Sequence, residues 1–298
     1  MSTSSTTVSG TQARSRLFPW AGRLEQAPWW AGIIILLGIT LAFFILTNEK
    51  YRETFQILTV GRPTSAATEG LLLTIIITLT SFAISLLLGL VAGWGRVSSN
   101  VVLYTISTLY VEVVRGVPLV VLILYVAFVL LPLGITLLNL IGGWLNITTL
   151  TDLTIRQIPM EWRAIVALAF GYGAYEAEIF RAGIQSIERG QMEAARSLGM
   201  NYFQSMRYII LPQAIRRVLP PLANDFISIL KDSALATVLA VPEMTQLSRI
   251  QRSSTFRVFE VFNTLAFLYL SMTLLLGIPV KWLERRMSID RRTDSTIR

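Results

Sequence analysis

Charged side chains interrupt stretches of this chain that are otherwise apolar enough to sit in a bilayer. Glu112 and Arg115 stand three residues apart, as do Glu178 and Arg181, with Glu176 just ahead of the second pair. That spacing puts both members of a pair on one face of a helix. Asp225, Lys231 and Asp232 occupy a third such stretch, and Ser228, Ser233 and Thr237 add polarity to it. An ionised group at bilayer depth costs several kcal/mol unless it is paired or hydrated. Two readings therefore stand for Glu112 and Arg115: an internal ion pair that fixes helix packing, or a polar lining for a path through the membrane. Gly116-Val117-Pro118 follows at once and predicts a break or kink beside the charges. Glu176, Glu178 and Arg181 fall at the inner end of their stretch, where interfacial charge near the headgroups is the plainer reading. Lys231 and Asp232 are neighbours, so they point to different sides and each needs its own partner. A segment this polar should face protein or water, and Asp225 or Asp232 is expected to pair with Arg115 or Arg181. A zwitterionic solute would find donors in Arg115 and Lys231, and acceptors in Glu112, Asp225 and Asp232. These six-odd positions, Glu178 included, are the candidate lining of a translocation path.

The chemistry on offer is binding rather than bond-making. The chain has no His and no Cys. That removes thiol chemistry, disulfides, the usual zinc sites and His acid–base catalysis. No catalytic residue, metal site or resident cofactor is expected.

The elements that must carry these charges are long and apolar. Of 298 residues, 53% are hydrophobic and only 15% charged, too few to cover the surface of a soluble domain. Uncharged runs near 20 residues mark bilayer spans. Six are placed at about 29–47, 70–95, 101–131, 160–180, 218–240 and 261–282, the fifth opened by Pro220-Pro221. The fold class is thus an all-α integral membrane protein of about six transmembrane helices. The net charge of +8 reads as a cytoplasmic excess of Lys and Arg rather than a nucleic-acid surface. With both termini inside, sixteen Lys and Arg fall on the inner side and eight on the outer side. Residues 1–28 read as a flexible cytoplasmic tail, and 286–298 as a second one. Leu131-Pro132-Leu133-Gly134 is expected to end the third span. The apolar segment after it would then lie along the outer surface or form a re-entrant hairpin. Pro242–Glu260, amphipathic and basic, is expected at the outer face as a docking surface, an outer gate or a solvated loop.

One inner loop differs from a plain linker. "QMEAARSLG" runs in helix formers to Gly199, a natural stop. Asn201 then sits where an N-cap belongs, with Gln204 three residues on. Tyr202, Met206, Ile209 and Ile210 fall near one helical face. Pro212 ends this second arm or opens the next helix. The loop is a small helix–turn–helix, too embedded between spans to read DNA.

Here the residues carry a resemblance. Glu193, Ala194, Ala195, Gly199, Ile209, Leu211 and Pro212 stand in the order and spacing of the EAA loop of bacterial ABC importer permeases. "YVEVVRGVPLVVLILY", "AYEAEIFRAGIQSIERGQMEAARSLG" and "NDFISILKDSALATVL" resemble the polar amino acid permeases, the histidine/glutamate/glutamine/arginine type. The resemblance covers about residues 68–285. It implies a type I permease core of five helices, to which residues 29–67 add an N-terminal helix and outer loop. The stretch 133–158 is longer than in the short members. It also implies that the loop at 190–212 docks on a cytoplasmic ATPase, making those seven residues the coupling set. The implied partners are a cytoplasmic ABC ATPase dimer, a second permease subunit that is a sister chain or a second copy, an extracytoplasmic amino-acid-binding protein and membrane lipid. The implied place is the bacterial cytoplasmic membrane. This chain has no G-x-x-x-x-G-K-[ST] loop, so ATP and Mg would belong to the partner. The competing class is an ion-coupled secondary amino acid transporter acting without an ATPase, whose sign would be inverted repeats with paired broken helices.

Overall fold

The computed structural model describes residues 29–62 and 68–287. The expected N-terminal tail, 1–28, and the C-terminal tail beyond 287 lie outside the described residues. The helices are α1 (Trp29–Thr47), α2 (Glu49–Val60), α3 (Gly70–Gly95), α4 (Val101–Gly116), α5 (Leu119–Leu145), α6 (Met160–Gln185), α7 (Arg189–Ser197), α8 (Tyr202–Ser205), α9 (Leu211–Asp232), α10 (Met244–Thr255) and α11 (Val258–Met287). Among the described residues there is no β-strand, only an isolated bridge between Gly70 and Glu243.

The centre is the α3–α6 pair. Both helices present small residues where they meet, so their backbones approach closely. A Cβ added to Gly89 would sit 2.7 Å from Glu176 Cβ, and one added to Gly93 would sit 2.8 Å from the carbonyl oxygen of Ala177. The hydroxyls that α3 carries inward are satisfied locally or across the pair. Thr74 and Thr78 donate to the carbonyls four residues back, and Ser81 donates to the carbonyl of Ile165. Such satisfaction is what a helix in hydrocarbon requires. Around the pair, Val111, Val114, Leu122, Ile123, Val126, Ala164, Ile165 and Leu168 form the largest buried cluster.

The third span differs from its expected bounds. Gly116-Val117-Pro118 does break the helix, as predicted, with Val117 extended at φ −106° and ψ 136°. The residues before the break form a separate helix, α4. The apolar helix long enough to cross is α5, 27 residues from Leu119 to Leu145. Leu131-Pro132 does not end it. A π-turn at Val126–Leu130 comes first, in which Leu131 N–H donates to Val126 C=O. That wider turn lets the proline ring pass into a continuing helix. The same device recurs at Leu211-Pro212, behind a π-turn at Met206–Ile210. The segment after 134, expected on the outer surface, thus belongs to the span as far as Leu145.

The fifth span is also longer on one side. Pro220 and Pro221 lie inside α9 rather than at its start, and a 3-10 turn at Ser233–Leu239 completes it. At the N-terminal end, α1 and α2 meet at 100°. Asn48 caps α2, accepting from the Lys50 amide.

Candidate functional site

The loop between α6 and α9 is a capped hairpin. Gly199 holds φ +80°, the left-handed conformation that glycine adopts without strain. The Met200 amide donates to Ala195 C=O and the Gly199 amide to Arg196 C=O, which closes α7 as a Schellman turn. Asn201 and Gln204 then form a reciprocal capping box, each side chain accepting from the other's amide at 2.9 Å. Ile187, Ile210 and Ala214 are buried inside the hairpin, with Met192, Met206 and Ile209 packed on them. Arg217 donates to the carbonyl of Ser186 and fastens its base.

Of the seven residues singled out, Ala195 is buried and Ile209 half-buried. Glu193, Ala194, Gly199, Leu211 and Pro212 are exposed. Tyr202 does not share the buried face with Met206, Ile209 and Ile210; it is exposed. The tip of the hairpin is apolar. Leu198 is 81% and Phe203 82% exposed. Leucine and phenylalanine thus stand together at the tip, beside the exposed Tyr202.

Above the hairpin the charges sort into a strut and a cavity. Arg96 donates to Glu178 at 2.7 Å and to Glu112 at 3.1 Å. Arg181 donates to both oxygens of Glu178. The strut ties the ends of α3, α4 and α6 together. Glu112 therefore pairs with Arg96, so the internal Glu112–Arg115 ion pair, one of the two readings, is not formed. Arg115 instead lies over the Tyr175 ring, 5.6 Å from its centroid.

Arg115, Tyr175, Glu178, Ser186, Arg217, Pro221 and Asp225 line a cavity of about 460 Å³. Among the described residues Arg115 makes no ion pair, and one carboxylate oxygen of Asp225 is buried without a hydrogen-bond partner. The expected pairing of Asp225 or Asp232 with Arg115 or Arg181 is not formed. Arg181 is taken by Glu178, and Asp232 accepts from the Tyr172 hydroxyl at 2.7 Å. Lys231 is exposed and is not part of the cavity lining. Glu176, fully buried, accepts from Ser85 at 2.8 Å, so it is an interior group and not interfacial charge. The cavity thus brings together Arg115, Glu178 and Asp225 and leaves Glu112, Lys231 and Asp232 outside its lining. Arg96, Tyr172, Tyr175 and Arg217 are not among the candidate path residues that the sequence offers. Tyr172 and Tyr175, three apart on α6 and one turn before Glu178, were a legible sign of a polar face.

At the opposite end, Glu243 is buried and caps α10. It accepts from the Thr245 and Gln246 amides at 2.8 Å and from the Tyr269 hydroxyl at 3.1 Å. Burial pushes its carboxyl up to about 7, against the opposing pull of those donors. Nearby, Arg62 is held above its ordinary value by hydrogen bonding to Glu69. The Met244 amide donates to Thr74, and Met244, Leu247, Ser248 and Gln251 are buried. Pro242–Glu260 is therefore largely a packed helix, not a solvated loop.

An all-helical chain with polar groups gathered inside apolar spans, and a rigid hairpin between two of them, is a membrane transport subunit in outline. The chain belongs to the family of binding-protein-dependent transport system inner membrane components, whose model matches residues 85–289. It is a permease subunit of the ABC importer type. It is 34% identical over 221 residues to the glutamine transport system permease protein GlnP of Escherichia coli (strain K12), covering 74% of this chain and 92% of that one. The probable glutamine ABC transporter permease protein GlnP of Bacillus subtilis (strain 168) is 34% identical over 223 residues, again 74% of this chain and 93% of the relative. A crystal structure of an amino acid ABC transporter with histidines superposes with a TM-score of 0.64 at 34% identity, over 81% of this chain and 98% of that one.

Proposed function

We propose that this chain forms half of the membrane pathway of an ATP-driven importer of polar amino acids. The carrying observation is the hairpin tip. A doubly capped loop with its own apolar core holds Leu198 and Phe203 out in water. Such rigidity suits a mechanical contact with a partner subunit. Glu193, Ala194, Ala195, Gly199, Ile209, Leu211 and Pro212 are the coupling set, with Gly199 shaping the turn and Ala195 and Ile209 seating the two arms. The partner is a cytoplasmic ABC ATPase dimer, which binds ATP and Mg. A second permease, a sister chain or another copy, completes the pathway, and an extracytoplasmic binding protein delivers the solute. The chain spans the bacterial cytoplasmic membrane with both termini on the cytoplasmic side. The amino acid class rests on the glutamine permeases it resembles and on the amino acid transporter that shares its fold.

The path runs by way of the cavity. Arg115 is the donor for the solute's carboxylate and Asp225 the acceptor for its ammonium, since each has capacity left over. Glu178, saturated by two arginines, is a strut at the cavity wall. Glu112 holds that strut, and Lys231 and Asp232 belong to the path towards the opposite end. The test is a mild-detergent pull-down of the chain from its native membrane, with the associated proteins identified by mass. A P-loop ATPase in stoichiometric amount is expected. A chain that emerges alone, folded and competent in uptake, would sink the importer reading.

A further inference from the structure

On α11, Leu275, Ile278 and Trp282 follow one another at three- and four-residue spacing and are 67%, 68% and 55% exposed. They form one apolar stripe along the helix. The stripe ends in charge. Lys281 is exposed beside it, and Arg286 stands four residues beyond Trp282. The Arg286 guanidinium lies over the Trp282 indole, 4.5 Å from the ring centroid. Stacking holds it back along the stripe instead of out in solution. The acid of this turn is turned away, for Glu284 accepts from Asn224 of α9 at 2.9 Å. The exposed face is left cationic.

Acyl stripe, interfacial indole and cations, in that order along a helix axis, match the parts of a phospholipid in the order a leaflet presents them. A free phosphate would meet the cations but leave the stripe uncovered. We propose that Lys281 and Arg286 hold the phosphate of an anionic phospholipid in the leaflet where α11 ends, with its chain lying along Ile278 and Leu275. This goes beyond the transport reading and does not depend on it.

The test uses the full chain, purified in mild detergent and offered phosphatidylglycerol or phosphatidylcholine, with bound lipid counted by native mass spectrometry. Phosphatidylglycerol should be retained in preference, and less so at high salt. Lys281→Gln with Arg286→Gln should weaken that retention about twenty-five-fold, about fivefold per charge removed. Lys281→Arg with Arg286→Lys, which keeps both charges, should retain it. Equal retention of the two lipids by the wild type overturns the proposal, and so does unchanged retention in the Gln variant. A Gln variant that loses a copurifying protein subunit while keeping its lipid assigns the face to a protein contact and overturns it as well.

Discussion

At the scale of single residues, Gly199 separates backbone strain from steric clash. Nothing lies within 4 Å of the place its Cβ would occupy, yet its φ is +80°. A side chain there meets only the left-handed penalty, about 1–2 kcal/mol. Gly199→Val should therefore reach the membrane in near-normal amount while uptake of labelled amino acid is abolished, because the tip is reoriented. Uptake at the normal rate would remove Gly199 from the coupling set. Glu193→Lys, on the exposed face of α7, should lower the amount of ATPase recovered with the chain without lowering the amount of chain. In the cavity, Arg115 stacks on Tyr175 and pairs with no acid among the described residues. Arg115→Ala should leave the strut of Arg96, Glu178 and Arg181 intact and reduce uptake about tenfold or more, the worth of a charged hydrogen bond. Unchanged uptake kinetics would return Arg115 to a packing role.

At the scale of elements, what was legible in the sequence followed the range of the forces involved. The hairpin was legible because its turn and cap are local: Gly199, Asn201 and Gln204 act on their own neighbours. The break at Gly116–Pro118 was legible for the same reason. The continuation of α5 through Pro132 was not, since proline reads as a stop unless the turn before it widens, and nothing in Val126–Leu130 announces a π-turn. The charge pairs were half legible. Spacing identified the Glu178–Arg181 pair, but Arg96 reaches Glu178 from 82 residues away, and that contact decides Glu112's partner. The packing of α10 was not legible because its clamps are distant: Gly70 donates to Pro242, Thr74 accepts from Met244, and Tyr269 meets Glu243. Glu243 makes a pH test of this clamp. Its carboxyl is raised in the fold, so the fold favours the protonated form. The resulting stability is present at low pH and is lost as pH rises through about 7. Thermal stability of the wild type should fall from about pH 4.5 to about pH 7 and level off above that. Glu243→Gln, always neutral, should flatten that dependence. An equally steep profile in the variant would show that another group carries it.

At the scale of the whole molecule, the described residues divide into a tightly packed core and an outlying helix. α3 and α6 meet backbone to backbone, and Gly89 has no room for a side chain against Glu176. Gly89→Leu should force the pair apart at a cost of about 1–3 kcal/mol or more, seen as a lower melting temperature and less folded protein. α1 is the opposite case. Among its described side chains Ile45 alone is buried, while Leu36 and Leu46 are 65% and 70% exposed. It is held by the Phe44–Tyr51 stack and by Arg52 donating to Leu46 C=O, both within the α1–α2 corner. α2, by contrast, is built into the core. Leu58 is fully buried with Met244, Leu247 and Leu268, and Arg257 pairs with Glu53. The change from loosely held to packed thus falls between Thr47 and Glu49, at the 100° bend. Removing residues 1–47 should leave the melting temperature of the purified chain within about 2 °C of the full-length value, roughly 1 kcal/mol at this size. Removing residues 1–60 should cost far more, because Leu58 and Thr54 leave a hole beneath α10 and α11. If the shorter deletion proves as damaging as the longer, α1 belongs to the core after all.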